Sequence, residues 1–293
     1  MNQECPIPIG LQGACDCHIH VFADPADFPF VESRTYTPGP APLSALLAWH
    51  DELGIDRMVI VQASPYGTDN SCLLDVLRQC GNRARGVAVI DDDVDDVYLA
   101  RIHKAGVRGV RLNLETTGDH DPISAARRLQ AIARRIAPLG WHIQTYTNLT
   151  MLHALRDVIR DLPVPLVVDH FGKPDAALGP DQPGLASLLD AVASGRTYVK
   201  LSAPYRVSTA PDYQDADWLA RCFIQANPDR VLWGSDWPHP GSAAGGPPSR
   251  AGITPFREED NKAALRRAWR WLPDQEHAQK LWVTNPARLY QFE

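Results

Sequence analysis

Short apolar runs alternate along the chain with longer stretches of mixed polarity. The runs are rich in β-branched residues and are bounded by turn residues, which is typical of buried strands. They lie at residues 14–22, 57–63, 84–90, 107–114, 141–146, 164–170, 197–202 and 230–236. The stretches between them have helical periodicity, and several end at Gly or Pro. The clearest are residues 43–54, 70–80, 94–105, 123–137 and 149–161.

Strands that alternate with helices pair in parallel, because each crossover returns the chain to the same end of the sheet. Eight such units in 293 residues predict a closed (β/α)8 TIM barrel that forms one α/β domain over residues 1–293. An open doubly wound sheet is the alternative. Such sheets usually carry a glycine-rich phosphate turn, and the sequence has neither GxGxxG nor GxxxxGK[ST]. A Gly/Pro-rich loop at 241–248 follows the last strand, where it could cover a site.

Composition and charge exclude several classes of partner. The chain has 35 acidic and 29 basic residues, a net charge of −6, and no basic run, so we expect no nucleic-acid or membrane partner. It has no apolar run of transmembrane length and no secretory signal pattern at its start, which predicts a cytoplasmic protein. The six cysteines form no CxxC pair and are expected to be buried thiols. The oligomeric state is not indicated.

The carboxyl ends of the strands carry the candidate chemistry, because that is where barrel enzymes build their sites. The first strand reads CDCHIHVF, and alternation places Asp16, His18 and His20 on one face. Inward barrel positions normally hold branched apolar residues, so two imidazoles there indicate a site. His170 ends the sixth strand, and Asp236 ends the eighth between two tryptophans, where it could act as a base. Taken singly, His170 could be structural and Asp236 a helix cap.

Together these residues look like the amidohydrolase superfamily. The segments VQASPYGTDN, GVRGVRLN, VVDHFGKPD and WGSDWPHP, with the closing TNPARLY, resemble the metal-independent lactonases typified by 2-pyrone-4,6-dicarboxylate hydrolase. The resemblance spans essentially the whole chain and keeps the order of the motifs. It implies a (β/α)8 barrel and hydrolysis of a lactone.

The fifth strand bears on whether a metal is needed. A metal site needs three or four converging ligands. Metal-binding members of the superfamily usually add a His on strand five, or a bridging Lys or Glu on strand four. Here strand five ends in Tyr146, and His142 lies too early in the strand to reach the barrel mouth, so we expect no binuclear centre and no cofactor. The alternative is one divalent metal, zinc above all, held by His18, His20, His170 and Asp236.

Without a metal, the histidines would polarise the ester carbonyl by donating hydrogen bonds, and Asp236 would activate water and pass the proton to the leaving oxygen. An anionic substrate needs an Arg guanidinium. Arg108 and Arg111 lie on opposite faces of strand four, and the resemblance places Arg111 inside. It also implies substrate contacts from Ser64, Tyr146, Arg206 and His239.

One departure from the resemblance concerns substrate identity. The dicarboxylate lactonase has a further Arg six residues beyond the position of Arg111, where this chain has Thr117. A hydroxylated lactone with one carboxylate would need hydroxyl partners instead. The candidates for that role are Asn113, Gln144, Thr145 and Asn148. The predicted substrate is therefore a small carboxylated lactone, either pyrone-dicarboxylate-like or an aldarolactone.

Three alternatives stay open. A galactarolactone-type isomerase would use the same pocket, with a substrate hydroxyl as the attacking group instead of water. A decarboxylase of an aromatic acid would need a tightly bound divalent metal. A binding protein or inactive paralogue would keep the barrel and lose the chemistry, because a fold alone does not fix function.

Overall fold

Eight parallel strands form the barrel in this computed structural model, which describes residues 10–117, 121–241 and 250–293 without the side chains of Thr116 and Thr117. The strands are β1 (Cys15–Ile19), β2 (Arg57–Val61), β3 (Ala84–Ala88), β4 (Val107–Asn113), β5 (His142–Tyr146), β6 (Leu166–Val168), β7 (Thr197–Ser202) and β8 (Val231–Gly234). Each pairs with the next along the chain. A bridge between Ile19 and Trp237 joins β1 to the end of β8 and completes the barrel.

Helices follow most of the strands and cover the outside of the barrel. They are α1 (Leu43–Leu53), α2 (Ser71–Cys80), α3 (Asp96–Lys104), α4 (Leu114–Thr117), α5 (Pro122–Ile136), α6 (Leu149–Ala154), α7 (Arg156–Arg160), α8 (Leu185–Ala193), α9 (Ala216–Ala226), α10 (Asn261–Trp271), α11 (Gln275–Gln279) and α12 (Asn285–Tyr290). No helix among the described residues is long and apolar enough to cross a membrane.

The predicted architecture is confirmed. Every strand lies inside its predicted range, and the helices match theirs to within two residues, except that the stretch 149–161 forms two helices that meet at Leu155. Side-chain caps set several helix starts; the Asp121 carboxylate accepts from the backbone N–H of Ser124 at the start of α5. Apart from Gly241, the loop predicted to cover a site lies outside the described residues.

Apolar side chains fill the end of the barrel where the strands begin, and we call this cluster the barrel floor. Its members are Cys15, Cys17, Val59, Val61, Val87, Val167, Tyr198, Leu232, Leu289, Tyr290 and Phe292. The last three come from the C-terminal segment, which closes the floor. Asn285 anchors that segment by donating to the carbonyls of Pro228 and Val231, both at 2.9 Å.

The five described cysteines are free thiols, as the sequence predicts. Cys15, Cys17 and Cys72 are buried, whereas Cys80 and Cys222 are half-buried. Burial raises the pKa of the Cys72 thiol, so it is uncharged at neutral pH.

A β-bulge in β1 overturns one detail of the sequence prediction. Between Asp16 and Ile19, β1 carries one residue more than the facing stretch of β2. A bulge changes the face on which the following side chains lie. His18 and His20 point into the barrel, but the Asp16 carboxylate lies 3.5 Å from His50 of α1, on the outside. The predicted common face of Asp16 with the two histidines is therefore wrong.

Candidate active site

A cavity of about 350 Å³ opens at the carboxyl ends of the strands. Its wall includes most of the side chains predicted for the site: His20, Ser64, Arg111, Tyr146, His170, Arg206 and Asp236. His18 is fully buried behind this wall, with its Nε2 atom 3.5 Å from Asp236 Oδ1. The fold therefore gathers residues that are more than 200 positions apart in the sequence around one space.

The two oxygens of Asp236 have different surroundings. Oδ2 accepts hydrogen bonds from the Tyr205 hydroxyl at 2.6 Å and from Arg206 Nη2 at 2.9 Å. Oδ1 has no hydrogen-bond partner among the described residues. Burial alone would raise the pKa of this carboxyl group, but the Arg206 guanidinium and the neighbouring imidazoles hold it well below its usual range. Asp236 is therefore charged at neutral pH, with one oxygen available.

Three imidazoles turn their Nε2 atoms towards Asp236 Oδ1. The distances are 3.5 Å for His18, 3.7 Å for His20 and 3.9 Å for His170. His18 Nε2 and His20 Nε2 are 3.3 Å apart. Burial lowers the pKa of His20 to about 3 and that of His170 well below its ordinary value. These imidazoles are therefore neutral at pH 7, and each carries one proton on one ring nitrogen.

The hydrogen-bond partner of Nδ1 in each ring limits which ring nitrogen carries that proton. His20 Nδ1 lies 2.8 Å from the Val61 carbonyl oxygen, which can only accept, so His20 carries its proton on Nδ1 and its Nε2 is a bare acceptor. His170 Nδ1 lies 2.9 Å from the Ser202 hydroxyl, which can donate or accept. His170 can therefore present either a bare Nε2 or an Nε2–H to the cavity.

A buried lysine that the sequence analysis did not single out lies behind His18. Lys200 is fully buried in β7, and its Nζ donates to Gln144 Oε1 at 2.6 Å and lies 3.3 Å from His18 Nδ1. Asp169 Oδ1 is 3.6 Å from the same Nζ and 3.2 Å from His18 Nδ1. Lys200 and Asp169 therefore meet the same His18 nitrogen: donation by Lys200 leaves the His18 proton on Nε2, whereas a proton on Nδ1 would be donated to Asp169.

Among the described residues at the cavity and directly behind it, four cations accompany three carboxylates. Three of the cations are paired, as Arg206–Asp236, Lys200–Asp169 and Lys173–Glu115. Arg111 is the fourth: it donates to the Gln62 carbonyl at 3.2 Å, its nearest carboxylate oxygen is 3.9 Å away on Asp169, and its Nε has no partner. With neutral histidines, the site carries one excess positive charge.

The donor atoms also fit a single divalent metal by distance. The Nε2 atoms of His18 and His20 and the Oδ1 atom of Asp236 lie 3.3–3.7 Å from one another, and His170 Nε2 lies 3.9 Å from the same Oδ1. Neighbouring ligands of a tetrahedral zinc are separated by about 3.4 Å, given bond lengths near 2.1 Å. The prediction of no cofactor is therefore untested. The alternative that the sequence analysis gave, one divalent metal held by these residues, stays open.

Several other predicted contacts lie away from the cavity. His239 Nε2 lies 3.0 Å from Asn261 Oδ1, and its ring packs against Tyr205 rather than on the wall. Gln144 is occupied by Lys200, and the Thr145 hydroxyl donates to the Leu112 carbonyl. A substrate contact by any of these three has no support in this geometry.

The remaining predicted contacts have mixed outcomes. Asn113 lines the cavity. Asn148 caps α6 and reaches Glu115 at 3.5 Å. Arg108 donates to the His103 carbonyl, so Arg111 is the inward arginine of β4, as the resemblance implied. The side chain of Thr117 lies outside the described part.

Close backbone packing positions Asp236 beside His18. A Cβ atom at Gly234 would lie 2.6 Å from His18 Cβ, so only glycine fits there. Asp236 itself has a φ of +65°, and His170 has a φ of +51°. Such values cost a non-glycine residue about 1–3 kcal/mol and are concentrated at functional sites. The backbone N–H of Asp236 donates to the His18 carbonyl at 2.9 Å, which holds the strained turn in place.

Comparison with known proteins agrees with this geometry. The amidohydrolase family model matches residues 15–292. The chain belongs to the amidohydrolase family. A 2-pyrone-4,6-dicarboxylate hydrolase from Comamonas testosteroni is 38% identical over 95% of this chain and 90% of its own length. A 4-sulfomuconolactone hydrolase from Rhizobium radiobacter is 32% identical over 98% and 93%.

A solved structure supports the same placement. It is a crystal structure of a Pseudomonas putida protein to which 2-pyrone-4,6-dicarboxylic acid hydrolysis has been ascribed. Its TM-score against this amidohydrolase is 0.82 at 30% identity, over 97% of this chain and 99% of that one. The resemblance stated from the sequence motifs is thus confirmed at the level of family and fold.

Some residues of this amidohydrolase site have a recognisable feature in the sequence that the sequence analysis did not use. Lys200 interrupts the apolar run YVKLS, and a charge in the middle of a barrel strand must be paired inside. Asp169 directly precedes His170. Tyr205 and Tyr36 left no comparable signal, because their position against Asp236 and on the cavity wall depends on loop conformation. Burial raises the pKa of Tyr36 to about 12, so its hydroxyl is neutral and can donate.

Proposed function

We propose that this amidohydrolase hydrolyses the ester bond of a small carboxylated lactone, with Asp236 as general base. The observation that carries the proposal is the state of Asp236: a charged, fully buried carboxylate with one oxygen fixed and the other free at the cavity. The named activities of the Comamonas and Rhizobium relatives, both lactone hydrolases, support the choice of substrate class.

Asp236 Oδ1 is placed to take a proton from water. The water oxygen bonds to the lactone carbonyl carbon as its proton moves to Oδ1. The bond from that carbon to the ring oxygen then breaks, and the ring oxygen receives the proton from Asp236. The products are one freed hydroxyl group and one carboxylic acid, which ionises to a carboxylate and releases the second proton of the water at neutral pH. A positioned base of this kind contributes about 10²–10⁴-fold to the rate.

His18 and His170 are the donors that would stabilise the developing oxyanion. We assign the proton of His18 to Nε2, with Lys200 as the donor to Nδ1, and the Ser202 hydroxyl allows the same tautomer at His170. His20 has a bare Nε2 and cannot donate in this state, so we assign it to accept a hydrogen bond from the attacking water. Each well-placed donor to an oxyanion is worth about 10²–10³-fold.

We propose that this reaction needs no resident metal. His18, His20, His170 and Asp236 are the residues that would hold one, and a bound divalent ion would polarise the carbonyl as a Lewis acid. The charges oppose that state, since the site already has one excess positive charge and a divalent ion would raise the excess to three.

A lactone panel with an Asp236→Asn variant tests the function. The panel contains 2-pyrone-4,6-dicarboxylate, 4-sulfomuconolactone and the glucaro- and galactarolactones, and proton release and product NMR are measured at neutral pH. We expect at least one lactone to be opened, and Asp236→Asn to lose about 10³-fold in kcat with an unchanged melting temperature. Asp75→Asn, which breaks the exposed Asp75–Arg78 pair on α2, is the matched control. Residual activity of the Asp236→Asn variant above about a tenth of wild type would remove Asp236 as the base.

The same panel in H₂¹⁸O separates the alternative reactions. Hydrolysis places one ¹⁸O atom in the new carboxylate, whereas an isomerase transfers the acyl group to a substrate hydroxyl and incorporates none. An aromatic carboxylic acid is added to the panel, and release of CO₂ from it would instead indicate a decarboxylase. We expect incorporation of ¹⁸O and no CO₂.

Metal removal tests the metal-free proposal separately. Protein purified without added metal should contain well under one zinc, iron or manganese per chain by elemental analysis. Its lactonase activity should survive dialysis against a strong chelator. One equivalent of zinc, with activity that is lost on chelation and restored by zinc, would contradict the metal-free mechanism while leaving the lactonase assignment intact.

A further inference from the structure

Among the described residues of the cavity, Arg111 is the cation without a close carboxylate partner, since its nearest carboxylate oxygen lies 3.9 Å away on Asp169. Arg111 is only 7% exposed, lines the cavity, and has a buried Nε without a hydrogen-bond partner among the described residues. An unsatisfied buried donor is costly, so a charged arginine in this state is prepared for an anion. Ser64 and Tyr36 lie on the same cavity wall and offer neutral hydroxyl groups. This part of the site suits one carboxylate.

Another part of the wall carries an ion pair that is already neutralised. Lys173 Nζ donates to Glu115 Oε1, and both side chains are about three-quarters buried. Asn148 Nδ2 lies 3.5 Å from the second oxygen of Glu115, and Lys173 Nζ lies 5.5 Å from the centre of the Tyr146 ring. The pair has no net charge, but it presents a carboxylate acceptor and an ammonium donor side by side. A hydroxyl group can use both, because it donates and accepts.

A second carboxylate at this part of the wall would meet Glu115. It would have to compete for Lys173, and the result would be two carboxylates sharing one ammonium group in a half-buried place. Arg206 is not free to pair with the second carboxylate, because its nitrogens already contact Asp236, the Tyr146 hydroxyl and the Pro240 carbonyl. Repulsion of this kind is a common way to reject a close analogue of the substrate.

We propose that the Glu115–Lys173 pair determines substrate specificity: it selects lactones that present a hydroxyl group to it and rejects those that present a second carboxylate, while Arg111 binds the one carboxylate. The inference rests on the proposed lactonase function and narrows its substrate class to hydroxylated lactones with a single carboxylate.

Binding of stable ring compounds tests this selection without any turnover. The probes are 3-hydroxybenzoate and benzene-1,3-dicarboxylate, together with the corresponding 1,4-compounds, and Kd is measured by calorimetry. They differ only in a hydroxyl group in place of a second carboxylate. In each pair that binds, wild-type protein should prefer the hydroxy acid by about 10-fold or more, which is a typical penalty for an uncompensated buried group.

The Glu115→Gln variant should remove the preference. The neutral amide that replaces the Glu115 carboxylate would no longer repel an anion and would leave Lys173 free, so the dicarboxylate should bind at least as tightly as the hydroxy acid. Lys173→Met should act in the opposite direction and weaken the dicarboxylate further. Glu52→Gln is the matched control, because it breaks the exposed Glu52–Lys262 pair on the outer surface and should leave the preference unchanged.

Three results would overturn the proposal. Wild-type protein could bind the dicarboxylate as tightly as the hydroxy acid, the preference could survive in Glu115→Gln, or no probe could bind. If the binding preference holds but no lactone in the panel is opened, the proposed function fails and the selection by Glu115 and Lys173 stands. If lactones are opened without the preference, the specificity proposal alone fails.

Discussion

The two ends of the barrel are built from the same strands but differ in the polarity of their inward side chains. At the floor, the inward side chains are Val, Leu, Cys and Tyr, packed against the C-terminal segment. At the mouth they are histidines, carboxylates and cations around a cavity of about 350 Å³. The transition can be followed along β7, whose inward residues change from Tyr198 to Lys200 to Ser202 as the strand approaches the mouth.

The difference shows where this fold gains stability and where it gives stability up. Floor residues lose solvent and meet complementary neighbours, which stabilises the folded state by about 25 cal/mol for each Å² of apolar surface. Mouth residues are just as buried, yet they hold charges and strained backbone at Asp236 and His170. Such groups are tolerated because the floor and the outer helices already fix the strands.

The C-terminal segment makes this separation of roles possible. Phe292 lies beneath the guanidinium groups of Arg57 and Arg85, at 5.2 and 4.7 Å from its ring centre. Arg85 also donates to the Gln291 carbonyl at 3.0 Å. The charged residues at this end thus bind backbone and aromatic groups of the C-terminal segment, whereas Arg111 at the mouth keeps a donor available for a ligand.

The largest expected effect is a loss of stability when a buried side chain of the barrel floor is truncated. Leu232 is fully buried in β8, and Leu232→Ala should lower the free energy of unfolding by about 3 kcal/mol, the usual cost of removing a buried leucine side chain. Urea denaturation measures the loss, and the kcat/KM of the folded variant should stay within about twofold of wild type. Leu178→Ala, at a side chain that is 67% exposed, is the control. A tenfold loss of kcat/KM would show that the floor and the mouth are coupled.

A smaller effect, mainly on kcat, should come from substitution of Lys200, which lies between the two ends. Lys200→Met removes the donor to His18 Nδ1 and leaves Asp169 without its cation, so kcat should fall by about 10–100-fold with a smaller change in KM. The stability should also fall, because a buried charge loses its partner. Tyr198→Phe, at the preceding inward position of the same strand, should change kcat little. Equal losses in both variants would mean that Lys200 acts only through packing.

The floor was easier to predict from the sequence than the mouth. Apolar periodicity depends on local geometry, so it located all eight strands of the barrel and five of the helical stretches between them. The sequence also identified His18, His20, His170 and Asp236, since polar residues at strand ends contrast with the apolar runs that precede them. The geometry that brings them together is not local, because it depends on strand order and barrel closure.

Two features show where sequence reasoning fails. Strict alternation placed Asp16 beside His18, but the bulge in β1 depends on pairing with β2, which a single sequence does not reveal. The roles of Lys200 and Glu115 depend on partners 50 or more residues away, since Lys200 meets Gln144 and Glu115 meets Lys173. Charge alone marks such residues as candidates, and only the fold identifies what they pair with.

Counted for one titrating group and one pH unit, the smallest effect concerns the pH dependence of stability and involves both ends. Burial lowers the pKa of His20 at the mouth, and of His142 near the floor, to about 3. Below pH 6.5 the unfolded chain therefore binds protons that the folded chain does not, so stability is lost as the pH falls. The depressed pKa of Asp236 acts only below about pH 4 and adds nothing in this window.

The free energy of unfolding should consequently fall by about 1.4 kcal/mol per pH unit below 6.5 for each such histidine. Urea denaturation at pH 7 and pH 5 measures this slope, and substitution of the exposed His153 by Gln should not alter it. kcat/KM should stay flat over the same range, because Asp236 remains a carboxylate and the site histidines remain neutral. Equal stability at both pH values would mean that the buried imidazoles take up protons in the folded state, and the charge balance that favours a single substrate carboxylate at Arg111 would then have to be recounted.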